Sequence, residues 1–307
     1  MSRFRADLVL LLVALIWGSA FAVQRVAAQY FDVFTFNGLR FLLGGLVLIP
    51  FSGLNPLRYA KKSRQYNRNQ KSTPIIPLDR KSFAFMLLGG ILLFGAAGLQ
   101  QAGLETTTAG NAGFITTLYV VLVPILLVIF WKEKIDRLAW LGAFIAIIGS
   151  LLLSTGGTLR LALGDALVMA GSVLWALHLI LVSRAVHHMD LLTFAAGQYI
   201  IAGTINLLVN SNVPAFELGS GWWTIFYIGL LSTAVGYTLQ GLGQKYSPPT
   251  DATILLSMEA VFAASFGAIF LGESMQPVQL VGCGLILGAV ILTQIHSLRA
   301  YSPVIKE

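Results

Sequence analysis

NAGFITTLYVVLVPILLVIFWKEKI (residues 111–135) and DATILLSMEAVFAASFGAIFLGESM (residues 251–275) are two apolar stretches lying 140 positions apart. At that offset Ala112 meets Ala252, Ile129-Phe130 meets Ile269-Phe270 and Glu133 meets Glu273. The register continues without a gap over 89–152 and 229–292, pairing Gly89 with Gly229, Leu99-Gln100 with Leu239-Gln240, Gly103 with Gly243 and Gly142 with Gly282. Upstream, an offset of 158 pairs Trp17 with Trp175 and Gly45 with Gly203. Apolar sequences match by chance, so the weight rests on Trp, Gln and Glu pairs at constant spacing. The two offsets differ by 18, roughly the extra length of one basic loop in the first half. The chain therefore reads as a duplication, with a first repeat at 1–155 and a second at 156–307.

Composition fixes the solvent. Of 307 residues, 56% are hydrophobic and 11% charged, with mean hydropathy +0.79, whereas an average soluble domain carries about 25% charged residues. The apolar residues come in runs of about 20, the length a bilayer core requires. An ordinary soluble enzyme is excluded, and the fold expected is an all-α polytopic membrane protein. Ten spans are expected, at 8–27, 34–52, 83–103, 110–130, 138–155, 164–183, 191–209, 221–243, 250–271 and 277–296. Five spans per repeat is an odd number, so the second repeat enters the membrane inverted with respect to the first, as in many secondary transporters.

Lys and Arg set the orientation. In this scheme seventeen of the twenty lie on the side of the N-terminus, eight of them in the loop 55–81, and Arg160 alone lies opposite. Both termini are expected in the cytoplasm, with the basic loop 55–81 touching anionic lipid and nucleic acid a remote alternative that is not expected as a partner. Ala20-Phe21-Ala22 after a basic, Leu-rich start resembles a signal-peptide cleavage site, but cleavage would remove one helix and break the pairing of repeats. The single cysteine, Cys283, permits no intramolecular disulfide.

Trp17-Gly18 in the first span, Arg40 in the second, Thr107 to Phe114 opening the fourth and Phe270-Leu271-Gly272-Glu273 closing the ninth resemble the EamA family of the drug/metabolite transporter superfamily. The resemblance implies a ten-helix carrier whose central cavity is lined mainly by helices one, three, four, six, eight and nine. Many members export amino acids, metabolites or drugs. The chain departs from the family pattern at Met258-Glu259-Ala260, where a proline is common, and at Trp131-Lys132, where Leu-Gly usually precedes the glutamate. The function expected is alternating-access export of a small solute across a bacterial inner membrane.

Polar residues inside spans carry what chemistry there is, because each must be paired, protonated or wet. Glu259 lies about 13 Å into the ninth span at 1.5 Å per residue, opposite a small-residue face of Thr253, Ser257, Ala260 and Ala264. It is the candidate for proton coupling or for binding a cationic group, and otherwise a static hydrogen-bonded carboxyl; its counterpart is Tyr119. Arg40 reads as a snorkelling anchor or structural partner, or as a partner for a substrate carboxylate or for Glu259. Gln198 is its counterpart. Helix eight carries a polar stripe at Thr233, Tyr237, Gln240 and Gln244, and Gln100 on helix three matches Gln240 as a cavity wall or as glue between helices. Trp17 and Trp175, with Gln24 and His178 nearby, suit an aromatic wall beside polar groups.

Asn111 and Asp251 open helices four and nine as N-caps or gate elements. Arg25 reads as a plain anchor. Gly284 and Gly288 in helix ten suit internal packing or a homodimer. His187, His188 and Asp190 are scattered donors in a short loop, so no metal and no cofactor is expected. Gly-x-Ser-x-Gly, His-Glu-x-x-His and a phosphate-binding loop are missing from the sequence, which argues against an enzyme and against ATP-driven pumping. A channel, lipid scramblase or scaffold is the alternative to a carrier.

Overall fold

The computed structural model describes residues 1–55, 79–155, 163–210, 221–274 and 276–300, and side chains throughout these except 153–155 and 293–300. Among them every regular element is helical. Eight helices are long and apolar enough to cross a membrane: α1 (Arg3–Ala27), α2 (Val33–Phe51), α3 (Arg80–Gly103), α4 (Ala109–Trp131), α6 (Leu163–His188), α7 (Leu191–Val209), α8 (Trp222–Gln244) and α9 (Pro249–Leu271). Two further helices, α5 (Arg137–Thr155) and α10 (Pro277–Ala300), are apolar over the shorter stretches Arg137–Leu152 and Pro277–Leu292.

Helix ends follow capping chemistry and not hydropathy. Ser2 accepts a hydrogen bond from the Arg5 amide, so α1 starts at Arg3, ahead of the expected 8. α6 runs on to His188, past the expected 183. Most of the basic loop, 56–78, lies outside the described residues; Arg80 and Lys81 from its end open α3. Asp79 caps that helix, accepting from the Ser82 amide at 2.7 Å. Hydrogen bonds from Ser82 hold the Asp79 carboxyl below the usual carboxylate range. The cap is therefore intact above that range and lost as pH falls through the lowered value.

Contacts between helix ends define two faces. At the N-terminal face Arg3 reaches Asp251, His188 reaches Asp79 at 3.6 Å, and the Gly53 amide donates to Thr193. At the opposite face Arg25 meets Glu273, and Asn210 donates to Thr35. Phe130, Phe144, Phe270 and Leu280 are exposed around the bundle, as side chains that face lipid should be.

Small residues set the helix spacing. α1 packs on α9 at Gly18, where a Cβ would overlap Phe262 Cβ and lie 2.9 Å from both the Ala263 amide nitrogen and the Glu259 carbonyl oxygen. α5 packs on α10 through Gly149, against the Gly282 backbone. Gly284 and Gly288 meet nothing within 4 Å, so the internal packing expected of them is not their role.

Gly18→Val should therefore lower stability by about 1–3 kcal/mol through overpacking. Gly284→Ala, with open space around it, should stay within about 0.5 kcal/mol of wild type. Thermal melting of the two variants in detergent checks the contrast.

Candidate functional site

α4 and α9 are each broken near their middle. α4 runs Ala109–Thr116 and resumes at Tyr119–Trp131; α9 runs Pro249–Leu256 and resumes at Met258–Leu271. A hydroxyl sits at each break and bonds back into the preceding turn: Thr117 Oγ1 donates to the Phe114 carbonyl at 2.6 Å, and Ser257 Oγ to the Ile254 carbonyl at 2.6 Å. Such back-bonding competes with the helical ladder and bends it. Non-helical backbone at this depth is tolerated where it is buried in protein or lines a wet cavity.

The breaks place Tyr119 and Glu259 at the start of the resumed half-helices. The Tyr119 hydroxyl donates to Glu259 Oε1 at 2.9 Å, joining the two broken helices. A carboxylate in the first turn of a helix also faces the positive end of the backbone dipoles. Glu259 is thus held by a neighbouring helix and still borders a central cavity.

That cavity gathers most of the residues singled out from sequence. Trp17, Gln24, Arg40, Gln100 and Tyr119 line it from one side of the chain, and Trp175, Tyr237, Gln240 and Glu259 from the other. Tyr237 is the hub of the aromatic wall, 4.8 Å from Trp17 and 6.0 Å from Trp175 between ring centroids. The Trp17 indole donates to the Ser232 carbonyl at 3.3 Å. Gln100 is tied to Thr116 at 3.0 Å, whereas the side-chain oxygens of Gln24 and Gln240 are buried with no partner. His178 stands just behind, edge-on to both Trp175 and Tyr237, and bonded through Nε2 to Gln198 Oε1 at 2.9 Å.

Arg40 is not an interfacial anchor. It is 1% exposed, with its guanidinium 4.5 Å from the Phe41 ring centroid and 5.4 Å from that of Phe36. Its Nε donates to Asn37 Oδ1 at 2.8 Å, and its Nη2 has no partner. Among the described residues it forms no ion pair, Glu259 included. An Arg six residues from a span end can snorkel only if its face meets lipid. This one faces the bundle.

Other expectations need correction. The stripe on α8 assumed a 3.6-residue period, but Tyr227–Tyr237 is a wide-turned π-helix. Thr233 is consequently turned against Gly44 of α2, Ser232 takes its place on the cavity wall, and Gln244 ties α8 to α6 through the Leu179 carbonyl and Ser183. The cap of α4 is Thr108, which accepts from the Asn111 amide, because the helix starts two residues before Asn111. Asp251 makes no cap hydrogen bond; it lies inside the first turn of α9 and takes Arg3 at 2.8 Å. Arg25 is no free anchor: it donates to the Thr107 carbonyl at 2.5 Å and pairs with Glu273 at 3.4 Å. Sequence reading missed both breaks, although Thr117 and Ser257 stand 140 positions apart, the offset of the duplication.

A bundle of apolar helices around a mostly uncharged cavity, with broken helices meeting at it, defines a membrane transporter by fold and site. The EamA-like transporter family matches residues 4–155 and, a second time, residues 162–295; the chain belongs to that family. It is 31% identical over 304 residues to an uncharacterized transporter of Archaeoglobus fulgidus, covering 96% of this chain and 87% of that one. It is 29% identical over 262 residues to the threonine/homoserine exporter RhtA of Escherichia coli, covering 82% and 79% respectively. A crystal structure superposes over 98% of this chain and all of its own with a TM-score of 0.74 at 17% identity, a likeness of fold.

Tyr119→Phe leaves the buried Glu259 carboxyl without its donor and should cost about 1–3 kcal/mol. A double-mutant cycle with Glu259→Gln, read by thermal melting, should show coupling between the two positions.

Proposed function

We propose that the protein is an alternating-access exporter of zwitterionic, amino-acid-like solutes across a bacterial inner membrane, with both termini in the cytoplasm and its two halves, 1–155 and 156–307, acting as inverted five-helix repeats. One observation carries the substrate class: the cavity is bordered by a buried guanidinium with no counter-charge, Arg40, and by a carboxyl on the opposite half, Glu259. A solute carboxylate satisfies Arg40, and its ammonium group satisfies Glu259. The aromatic wall of Trp17, Tyr237 and Trp175 receives the apolar part. Similarity to RhtA supports amino acids and export. Inversion is supported by the sequence offsets and by breaks at matching places in α4 and α9. Glu259 is the acid available for coupling to protons.

Counterflow of L-threonine in proteoliposomes tests this reading. Wild type should exchange labelled L-threonine and reject its amide, which lacks the carboxylate. Arg40→Gln should weaken apparent affinity roughly ten- to hundredfold, the loss of a charged hydrogen bond of about 1.5–3 kcal/mol. Glu259→Gln should abolish the dependence of rate on a pH gradient. Conductance without countertransport would mean a channel, and neither activity would mean a scaffold.

A further inference from the structure

Polar links between the two family-matched segments sit at both ends of the bundle, in corresponding positions. At the face opposite the N-terminus, Thr107 bonds to Asp165 and Arg25 pairs with Glu273. At the N-terminal face the residues at the same offsets are Ser247 for Thr107, at 140, and Asp7 for Asp165, at 158. There too Arg184 pairs with Glu133, the counterpart of Glu273, at 3.0 Å. Every one of these links joins residues from different halves.

The two ends are nonetheless built differently. Glu273 also clamps the start of α4, accepting from the Ala109 and Gly110 amides at 3.1 and 3.4 Å. The position matching Ala109 is Pro249, which has no N–H to offer, so Glu133 cannot clamp α9 in the same way. At the N-terminal face Arg3 takes over: it binds Asp7 at 2.9 Å and Asp251 at 2.8 Å, bridging α1 to α9. Ser247 stands beside Asp7, as Thr107 does beside Asp165, while Arg3 takes the Asp7 carboxylate. The bridge is well shielded, with Arg3 and Asp251 side chains 13% and 17% exposed, against 39% and 43% for Arg184 and Glu133.

We propose that these links are two latches closing the two entrances of the cavity, released alternately, and that Arg3 is the latch specific to the N-terminal face. The inference rests on the alternating-access reading above. Rocking of one half on the other must break the links at the end that opens and can keep those at the other. Arg3 therefore biases the empty carrier towards closure at the N-terminal face.

Hydrogen–deuterium exchange of the full chain in lipid nanodiscs, without added solute, tests this. Arg3→Gln should raise exchange about threefold in 245–252, the effect of losing one polar link of about 0.6 kcal/mol in a membrane protein, and lower it in 104–112. Glu273→Gln should do the reverse. Arg184→Gln, a change in an exposed pair that leaves folding intact, should act in the direction of Arg3→Gln with smaller amplitude. A rise confined to the mutated face, with no fall at the other, overturns the latches and reduces the links to local staples; no change in any variant overturns them too. L-threonine counterflow by wild type, run alongside, separates failure of the latches from failure of the carrier reading.

Discussion

The hydrogen bond from Tyr119 to Glu259 is the contact around which the rest of the bundle is arranged. A carboxyl at this depth cannot face hydrocarbon, and a broken helix cannot expose its free amides and carbonyls there. Both problems have one solution, an enclosed polar space, which forces α1, α3, α6 and α8 to close around the two breaks. Glycine at 18 lets α1 come close enough to α9 for that closure, and the hydroxyls of Thr117 and Ser257 take up a carbonyl each at the breaks.

Around this centre, charge is distributed by function of place. Arg40 is kept inside without a carboxylate, stabilised by two aromatic faces and one amide oxygen. The remaining described acid–base pairs lie at the ends of the helices. The cavity thus holds a cation whose electrostatic demand is unmet, while the ends are already satisfied by protein.

Much of this was legible in the sequence, for physical reasons that can be stated residue by residue. Runs of about 20 apolar residues are imposed by bilayer thickness, so the helices were readable, and polar residues deep within them had to converge, so the lining by Glu259, Tyr119, Gln100 and Gln240 was readable too. For Arg40 the cavity place was among the readings, but depth alone could not separate it from a snorkelling anchor, because depth does not tell which way a long side chain turns. Asn111 and Asp251 were misread as caps because boundaries depend on single hydrogen bonds, here those of Thr108 and of the Arg3 bridge. The π-helix in α8 and the link from Arg25 to Glu273 depend on tertiary packing between distant segments, and no local pattern announces either.

The tether of Trp17 to α8 ends on a main-chain oxygen, that of Ser232. A carbonyl belongs to the polymer and not to the residue type, so no codon change at 232 other than one that disrupts the helix can delete that acceptor. The orientation of Trp17 in the aromatic wall is therefore insulated from drift in the side chain at 232. Gln24 and Gln240 have no such tether: their side-chain oxygens are buried without a partner, so a change at either alters the polarity of the cavity and leaves the anchored Trp17 in place.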